Sequence, residues 1–254
     1  MAVVRPLLTR SGRDARRAPE AVPAPLPSTV VILAAGMGTR LGRPHPKPLT
    51  ELDDGRSIMR QQLDHLADAF PQRPVVSIVV GFAKDAVMDA AGDEATFVYN
   101  PHFATTNTSK SLLKALRLAG PGGVLWMNGD VVFVPGLLAE LLAHTAEGSF
   151  VAVNTERVAD EEVKYTVDDT GHIAELSKVV VGGLGEAVGI NYVAPADREL
   201  LVRHLEAVGD QDYFEKGIED AIRDDGLRVR AVDISRFGIV EVDFDEDLVR
   251  ANAL

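Results

Sequence analysis

The chain contains no cysteine, so it has neither a disulfide nor a thiolate metal site. Its six histidines are scattered, and no His cluster argues for zinc. Aromatic residues make up 6% of the chain, and no obvious aromatic cage for a quaternary amine is visible among them. No apolar run is long enough to span a membrane, and the first residues lack the apolar core of a secretory signal. Positive charge is scarce: 26 Lys and Arg stand against 38 Asp and Glu, a formal net charge of −12. That balance argues against a nucleic-acid-binding surface spread over the protein. An anionic small molecule would need a local positive site instead. These absences fit a cytoplasmic protein that handles neither nucleic acid nor membrane.

What is present is enough for one large core or two small ones: 254 residues, 46% of them hydrophobic. Residues 1–27 stand apart. They carry Arg5, Arg10, Arg13, Arg16 and Arg17 together with Pro19, Pro23, Pro25 and Pro27, and read as a disordered extension. The expected folded domain is 28–254.

The stretch Val30–Leu49, VVILAAGMGTRLGRPHPKPL, organises the rest. An apolar run ends in the small residues Ala34 and Ala35, then opens into Gly36, Gly38 and Gly42 with Thr39 and Arg40 between them. This reads as a buried strand entering a glycine loop whose backbone N–H groups form an anion-binding concavity. Arg40 and Lys47 add positive charge. A Walker loop is excluded, because no GxxxxGK[ST] occurs. A dinucleotide fingerprint is excluded too: Leu41 holds the place of its last glycine, and Pro44, Pro46 and Pro48 forbid an immediate helix.

Strand and helix patterns then alternate. Ser57 caps a predicted helix over Ile58 to Phe70; a strand follows at 75–80 and a short helix over Lys84 to Ala91. A third strand covers Thr96 to Tyr99. The helix over Thr106 to Ala119 turns Leu112, Leu113 and Leu116 inward, with Leu118 a candidate for the same face. A fourth strand, Gly123 to Met127, runs into Asn128-Gly129-Asp130. Pro135 opens a helix over Gly136 to His144, and a fifth strand covers Phe150 to Asn154. This alternation predicts an α/β fold, a Rossmann-like mixed, mostly parallel sheet between helices, with ligands at the carboxyl ends of its strands.

The second half predicts a small hairpin subregion, Val163 to Val167 with His172 to Lys178, and a strand over Ala187 to Val193. Helices are expected over Ala196 to Val208 and Asp212 to Arg223, the latter with Phe214, Ile218, Ala221 and Ile222 inward. Strands follow at Leu227 to Ile234 and Ile239 to Phe244, and Asp245 caps a last helix.

Three carboxylates are candidate metal ligands. Asp130 ends a buried strand, though Asn-Gly-Asp is also ordinary turn chemistry. Glu241 and Asp243 fall on one face of their strand by alternation, which suits either a solvated edge or a bridging cation. Their hard oxygens suit Mg²⁺.

The pattern LAAGxGxRLx…PKPL resembles the signature of nucleotidyltransferases, which join a nucleoside monophosphate to a phosphate-bearing acceptor. With NPHFATTNTSKSL, NGD and GIVEVDFDEDLVRA, the chain resembles, from Val30 to its end, the cytidylyltransferase branch whose members act on phosphocholine, aminoethylphosphonate or inositol 1-phosphate. The resemblance implies that the glycine loop and Arg40 hold the triphosphate of CTP, through Ala34, Ala35, Gly36, Gly38 and Thr39. It implies that Lys47 contacts the α-phosphate, and that Asp130, Glu241 and Asp243 bind Mg²⁺. Asn107 and Ser111 match the positions that read the pyrimidine, although a helix-capping role fits this segment as well. Lys178 matches a lysine that meets the acceptor phosphate. Glu186 and Tyr192 are further acceptor candidates, and Tyr213, Phe214, Asp212 and Glu215 lie nearby in sequence.

Three rivals remain at this level. One is the same fold acting on a hexose 1-phosphate with UTP, dTTP or GTP. Another is molybdenum-cofactor nucleotidylation, which the Glu241-x-Asp243 ending fits less well. The third is a non-catalytic nucleotide sensor, against which the presence of all three carboxylates argues.

Overall fold

The computed structural model describes residues 26–38, 41–156, 158 and 161–254. The expected N-terminal extension, Thr39 and Arg40 thus lie outside the described residues, save for Leu26 and Pro27.

The first half builds β1 (Thr29–Ala34), α1 (Ile58–Ala69), β2 (Val75–Val80), α2 (Lys84–Ala91), β3 (Thr96–Tyr99), α3 (Thr108–Leu118), β4 (Val124–Asn128), β5 (Val131–Phe133), α4 (Leu137–Ala143) and β6 (Phe150–Asn154). The second half adds β7 (Lys164–Val167), β8 (Ile173–Ser177), β9 (Glu186–Val193), α5 (Arg198–Ala207), α6 (Phe214–Asp225), β10 (Arg230–Asp233), β11 (Ile239–Glu241) and α7 (Asp245–Ala251).

The central sheet runs β10-β6-β9-β4-β1-β2-β3, with the β7–β8 hairpin attached beside β9. β1 is parallel to β2 and β4, and β6 is parallel to β10. β9 runs antiparallel between β4 and β6. The mixed, mostly parallel α/β sheet is therefore as expected, with one reversed strand at its centre.

Alternation along β1 explains its continuous apolar run. Val30, Ile32 and Ala34 enter one core with Met59, Leu63 and Leu66 of α1 and Leu138 and Leu141 of α4. Val31 and Leu33 enter the opposite core with Leu112 and Leu116 of α3, Leu205 of α5 and Ile218 of α6. A strand buried on both faces has no polar positions to alternate with. Ser57 caps α1 as expected, its hydroxyl accepting from the Arg60 N–H. No helix among the described residues is long and apolar enough to cross a membrane.

Some local expectations change. β5 is an additional three-residue strand directly after the Asn-Gly-Asp turn, paired antiparallel with β11. β11 ends at Glu241 rather than Phe244. Asp245 is the first residue of α7 and not its cap; Asp247 reaches back to accept from the N–H groups of Asp243 (3.0 Å) and Phe244 (2.8 Å). Leu118 is 72% exposed, because α3 ends there and the next residue departs as extended chain. Ile222 is only partly buried.

Candidate active site

The carboxyl ends of β1 and β4 and the amino end of the reversed β9 converge on a cavity of about 310 Å³. Ala34, Gly36, Gly38, Lys47, Asn128, Asp130, Glu241 and Asp243 all line it.

Lys47 sits in a single 3-10 turn, Lys47–Leu49, started by Pro46. Its ammonium donates to Asp130 Oδ2 at 3.0 Å and to Asp243 Oδ1. Gly38 makes this possible. Its φ is +59°, and a Cβ there would lie 2.8 Å from Lys47 Cγ. Only glycine adopts that conformation freely and leaves the lysine stem its room.

Asp130 is presented by a turn held from three sides. The Gly129 N–H donates to the Leu33 carbonyl at 2.9 Å, and the Val242 N–H to the Asp130 carbonyl at 2.9 Å. The side-chain amide of Gln62, fully buried on α1, donates to the carbonyls of Asn128 (3.0 Å) and Val131 (2.8 Å). A Cβ at Gly129 would meet the Leu33 carbonyl and Pro48 at 2.8 Å, so the approach requires glycine. Pairing of Glu241 with Val131 brings the third carboxylate alongside, where Asn128 Nδ2 donates to it at 3.3 Å.

Three carboxylates around one ammonium is an unbalanced group. Burial raises the Asp130 pKa above the ordinary carboxylate value, and Lys47 only partly offsets this. Burial, with Asp130 as the next contributor, pushes Glu241 well above its usual range. For Lys47, burial works downward, but Asp130 and Asp243 outweigh it and raise its pKa. Asp130 Oδ1 is buried without a hydrogen-bond partner among the described residues. Lys47 stands between Asp130 and Asp243, and no three His, Asp or Glu side chains among the described residues are grouped to hold a metal ion.

Residues 30–212 match the profile of the MobA-like NTP transferase domain. This chain belongs to that family. Asp130 and Lys47 lie inside the matched segment, Glu241 and Asp243 beyond it. The chain is 34% identical to CMP-5'-(3-aminopropyl)phosphonate synthase of Streptomyces rubellomurinus, an alignment covering 91% of this chain and 39% of the relative. It is 36% identical to the bifunctional protein GlmU of Streptomyces coelicolor over 53% of this chain and 28% of the relative. The chain thus spans well under half the length of these two relatives. Among solved structures, the CTP:phosphocholine cytidylyltransferase LicC of Streptococcus pneumoniae superposes with a TM-score of 0.69 at 20% identity, over 89% of this chain and 97% of LicC. The inositol-1-phosphate CTP transferase of T. maritima superposes with a TM-score of 0.73 at 16% identity, over 89% of this chain and 96% of its own. At these identities the superpositions establish the fold alone.

The second wall of the cavity is formed by the starts of α3 and α6. Asn107 is at the cavity and caps α3 itself, its Oδ1 accepting from the Thr108 N–H at 2.8 Å while its amide donates to the Gln211 carbonyl at 3.2 Å. Thr108 lines the cavity too, and its hydroxyl accepts from the Phe214 N–H at 3.2 Å. Lys178, just after β8, reaches the cavity with its ammonium 4.7 Å from the Tyr213 ring centre.

Four expected site residues fall elsewhere. Ala35 is buried behind the loop, its carbonyl accepting from the Phe82 N–H at 3.1 Å. Ser111 is buried one helical turn below Asn107 and accepts from Asn100 Nδ2 at 3.1 Å, away from the cavity wall. Glu186 borders a neighbouring cavity of about 480 Å³ that shares Glu241 and Asp243 with the first. Tyr192 lies at the far end of the sheet, packed on Phe150 with its hydroxyl beside Gly123 at the start of β4. The reversal of β9 is the reason: Gly189 is at the cavity, and each later residue moves away from it.

Sequence reasoning also missed Gln62, Asn128 and Thr108. Gln62 stands on the inward face of an amphipathic helix, where a buried amide signals an obligatory partner. Asn128 opens the Asn-Gly-Asp turn, and Thr108 reads from the sequence only as a helix cap.

Proposed function

We propose that this NTP transferase moves CMP from CTP to a small acceptor bearing a phosphate or phosphonate, releasing pyrophosphate. An acceptor oxygen attacks the α-phosphorus. The new P–O bond forms as the bond to the β-phosphate oxygen breaks, and pyrophosphate departs. Such an acceptor is already an anion, so no general base is needed; the protein positions two anions and neutralises their charge.

The single observation that carries this reading is Lys47 held between Asp130 and Asp243 beneath Gly36 and Gly38. The carboxylates keep the lysine charged and aimed into the cavity. A triphosphate entering past the glycine loop draws that ammonium onto the α-phosphate. The backbone N–H groups of Gly36 and Gly38, together with Arg40 and Thr39, take the outer phosphates. Asn107 and Thr108 meet the base. Lys178 meets the acceptor anion.

Mg²⁺ is the proposed cofactor. Asp130 Oδ1, buried without a partner among the described residues, and the hard carboxylate oxygens of Asp130 and Asp243 suit such a cation, with Glu241 lining the same cavity. When bound there, the ion would neutralise charge developing on the phosphate oxygens. CTP and a phosphonate acceptor are favoured by the name of the Streptomyces rubellomurinus relative.

The test is pyrophosphate release with CTP, UTP, dTTP and GTP against a panel of phosphonates, phosphocholine, inositol 1-phosphate and hexose 1-phosphates. The expected outcome is turnover with CTP that chelator abolishes and Mg²⁺ restores. A clear preference for UTP or dTTP with a hexose 1-phosphate would overturn the cytidylyl reading.

A further inference from the structure

Glu215 is the second residue of α6 and lines the cavity together with Lys178, Glu161, Glu162, Tyr213 and Phe214. It is 8% exposed, and its Oε2 has no hydrogen-bond partner among the described residues. A buried carboxylate oxygen without a partner costs folding free energy unless something arrives to meet it. Its placement is rigid. Phe214 is buried edge-on against Trp126 of β4, ring centres 5.7 Å apart, and its N–H is bound to Thr108.

The neighbouring charges do not neutralise Glu215. Burial is the main influence on it and pushes its pKa up to about 7, Glu162 adds to that, and its own backbone N–H and Lys178 pull the other way. The Lys178 ammonium lies over the Tyr213 ring and acts on Glu215 only through its charge. The other nearby lysines are engaged elsewhere. Lys110 of α3 donates to the carbonyls of Leu205, Glu206 and Val208, and Lys216 of α6 to Glu219 and Asp220.

We propose that Glu215, with Glu162 beside it, is the specificity-determining residue for the acceptor and receives an N–H-bearing ammonium group. The acceptor class is then a short ω-aminoalkyl phosphonate or phosphate, anionic at one end and cationic at the other. A quaternary amine fits less well. It needs open aromatic faces, whereas Lys178 covers Tyr213 and Phe214 is packed on Trp126. An uncharged polyol would give the carboxylate no countercharge. The proposal rests on the phosphonate-transfer reading above but concerns a separate wall of the cavity.

The test measures binding of three acceptors of equal length, an ω-aminoalkyl-, an ω-hydroxyalkyl- and an alkylphosphonate, to the full chain by calorimetry. The same three are assayed for pyrophosphate release with CTP and Mg²⁺. The wild type is expected to bind the amine roughly 10- to 100-fold more tightly than either analogue, the range for a hydrogen bond between charged groups. Glu215→Gln should bring the three within about threefold of one another. It should also keep or raise the melting temperature, because it removes a buried unpaired charge.

An amine preference that survives in Glu215→Gln overturns the proposal, as does binding of the hydroxyl analogue as tightly as the amine, or binding of none of the three. A purely structural role is separable, since it lowers the melting temperature and leaves the preference unchanged. If the preference holds and is lost in Glu215→Gln while CTP supports no turnover, the acceptor assignment stands and the cytidylyl reading falls. Turnover with CTP but no amine preference overturns the acceptor assignment and leaves the cytidylyl reading standing.

Discussion

The two walls of the cavity differ in whether their buried carboxylates hold an ammonium. Around Lys47 the charges are linked to one another: one ammonium serves Asp130 and Asp243, and Asn128 donates to Glu241, while Asp130 Oδ1 keeps no partner among the described residues. At the start of α6, Glu215 has an oxygen with no partner among the described residues. The first arrangement holds a cation ready until an anion draws it away. The second leaves a carboxylate short of a cation. Substrates that place phosphate at the first wall and an ammonium at the second would complete both. Both walls give up stability in the empty protein: one ammonium offsets only part of the three carboxylates around Lys47, and Glu215 has no ammonium bonded to it, so a ligand returns free energy at each.

The largest way to break the comparison is Asp130→Asn. It removes one of the two charges that hold Lys47 and turns the carboxylate offered to a metal into a neutral amide. Turnover should fall by about 100-fold or more, several kcal/mol of lost charge stabilisation, with circular dichroism unchanged. Unaltered turnover would move the reacting centre elsewhere.

Glu215 tests the other wall through stability against pH. Its folded pKa of about 7 lies above the ordinary 4.5, so the native state holds this proton more tightly than the unfolded chain. The group's contribution therefore favours folding at low pH and is lost as pH rises from about 4.5 through about 7. In Glu215→Gln the titration is absent. The variant should match the wild type near pH 4.5 and become more stable above pH 7 by up to about 3 kcal/mol, read from denaturant melts across that range. A gap that does not change with pH means the carboxylate is already compensated.

Smaller effects sharpen the boundary of the site. Ser111→Ala removes one acceptor of Asn100 and should cost about 1 kcal/mol of stability while kcat/KM stays within about twofold. Tyr192→Phe should be nearly silent in the pyrophosphate assay, because the ring sits at the opposite end of β9 from Gly189. A large loss of activity in either would redraw the cavity wall.

Much of the fold was legible because its signals are local. The apolar run of β1, the Ser57 cap of α1 and the hairpin β7–β8 each follow from residues near in sequence. Lys47, Asp130, Glu241 and Asp243 were legible as candidates through the motifs that carry the resemblance, since taken singly Asp130 also suits a turn and Glu241 and Asp243 a solvated edge; the structure brings all four to one cavity. Ser111 was named by a motif match, Tyr192 as an available aromatic and Glu186 by proximity along the chain, and none of these reports strand direction or helix phase against a cavity. Gln62 and Thr108 were missed for the converse reason: their partners, Val131 and Phe214, are 69 and 106 residues away.

The order of strands and helices, the glycine loop and the identity of the charged groups came from the amino-acid sequence alone, since backbone sterics and hydrophobic periodicity act over a few residues. The reversal of β9, the β5–β11 pairing that sets Glu241 beside Asp130, and the isolation of Glu215 were decided only by tertiary structure. Each depends on which distant segments exclude water from one another, and that is a property of the packed chain.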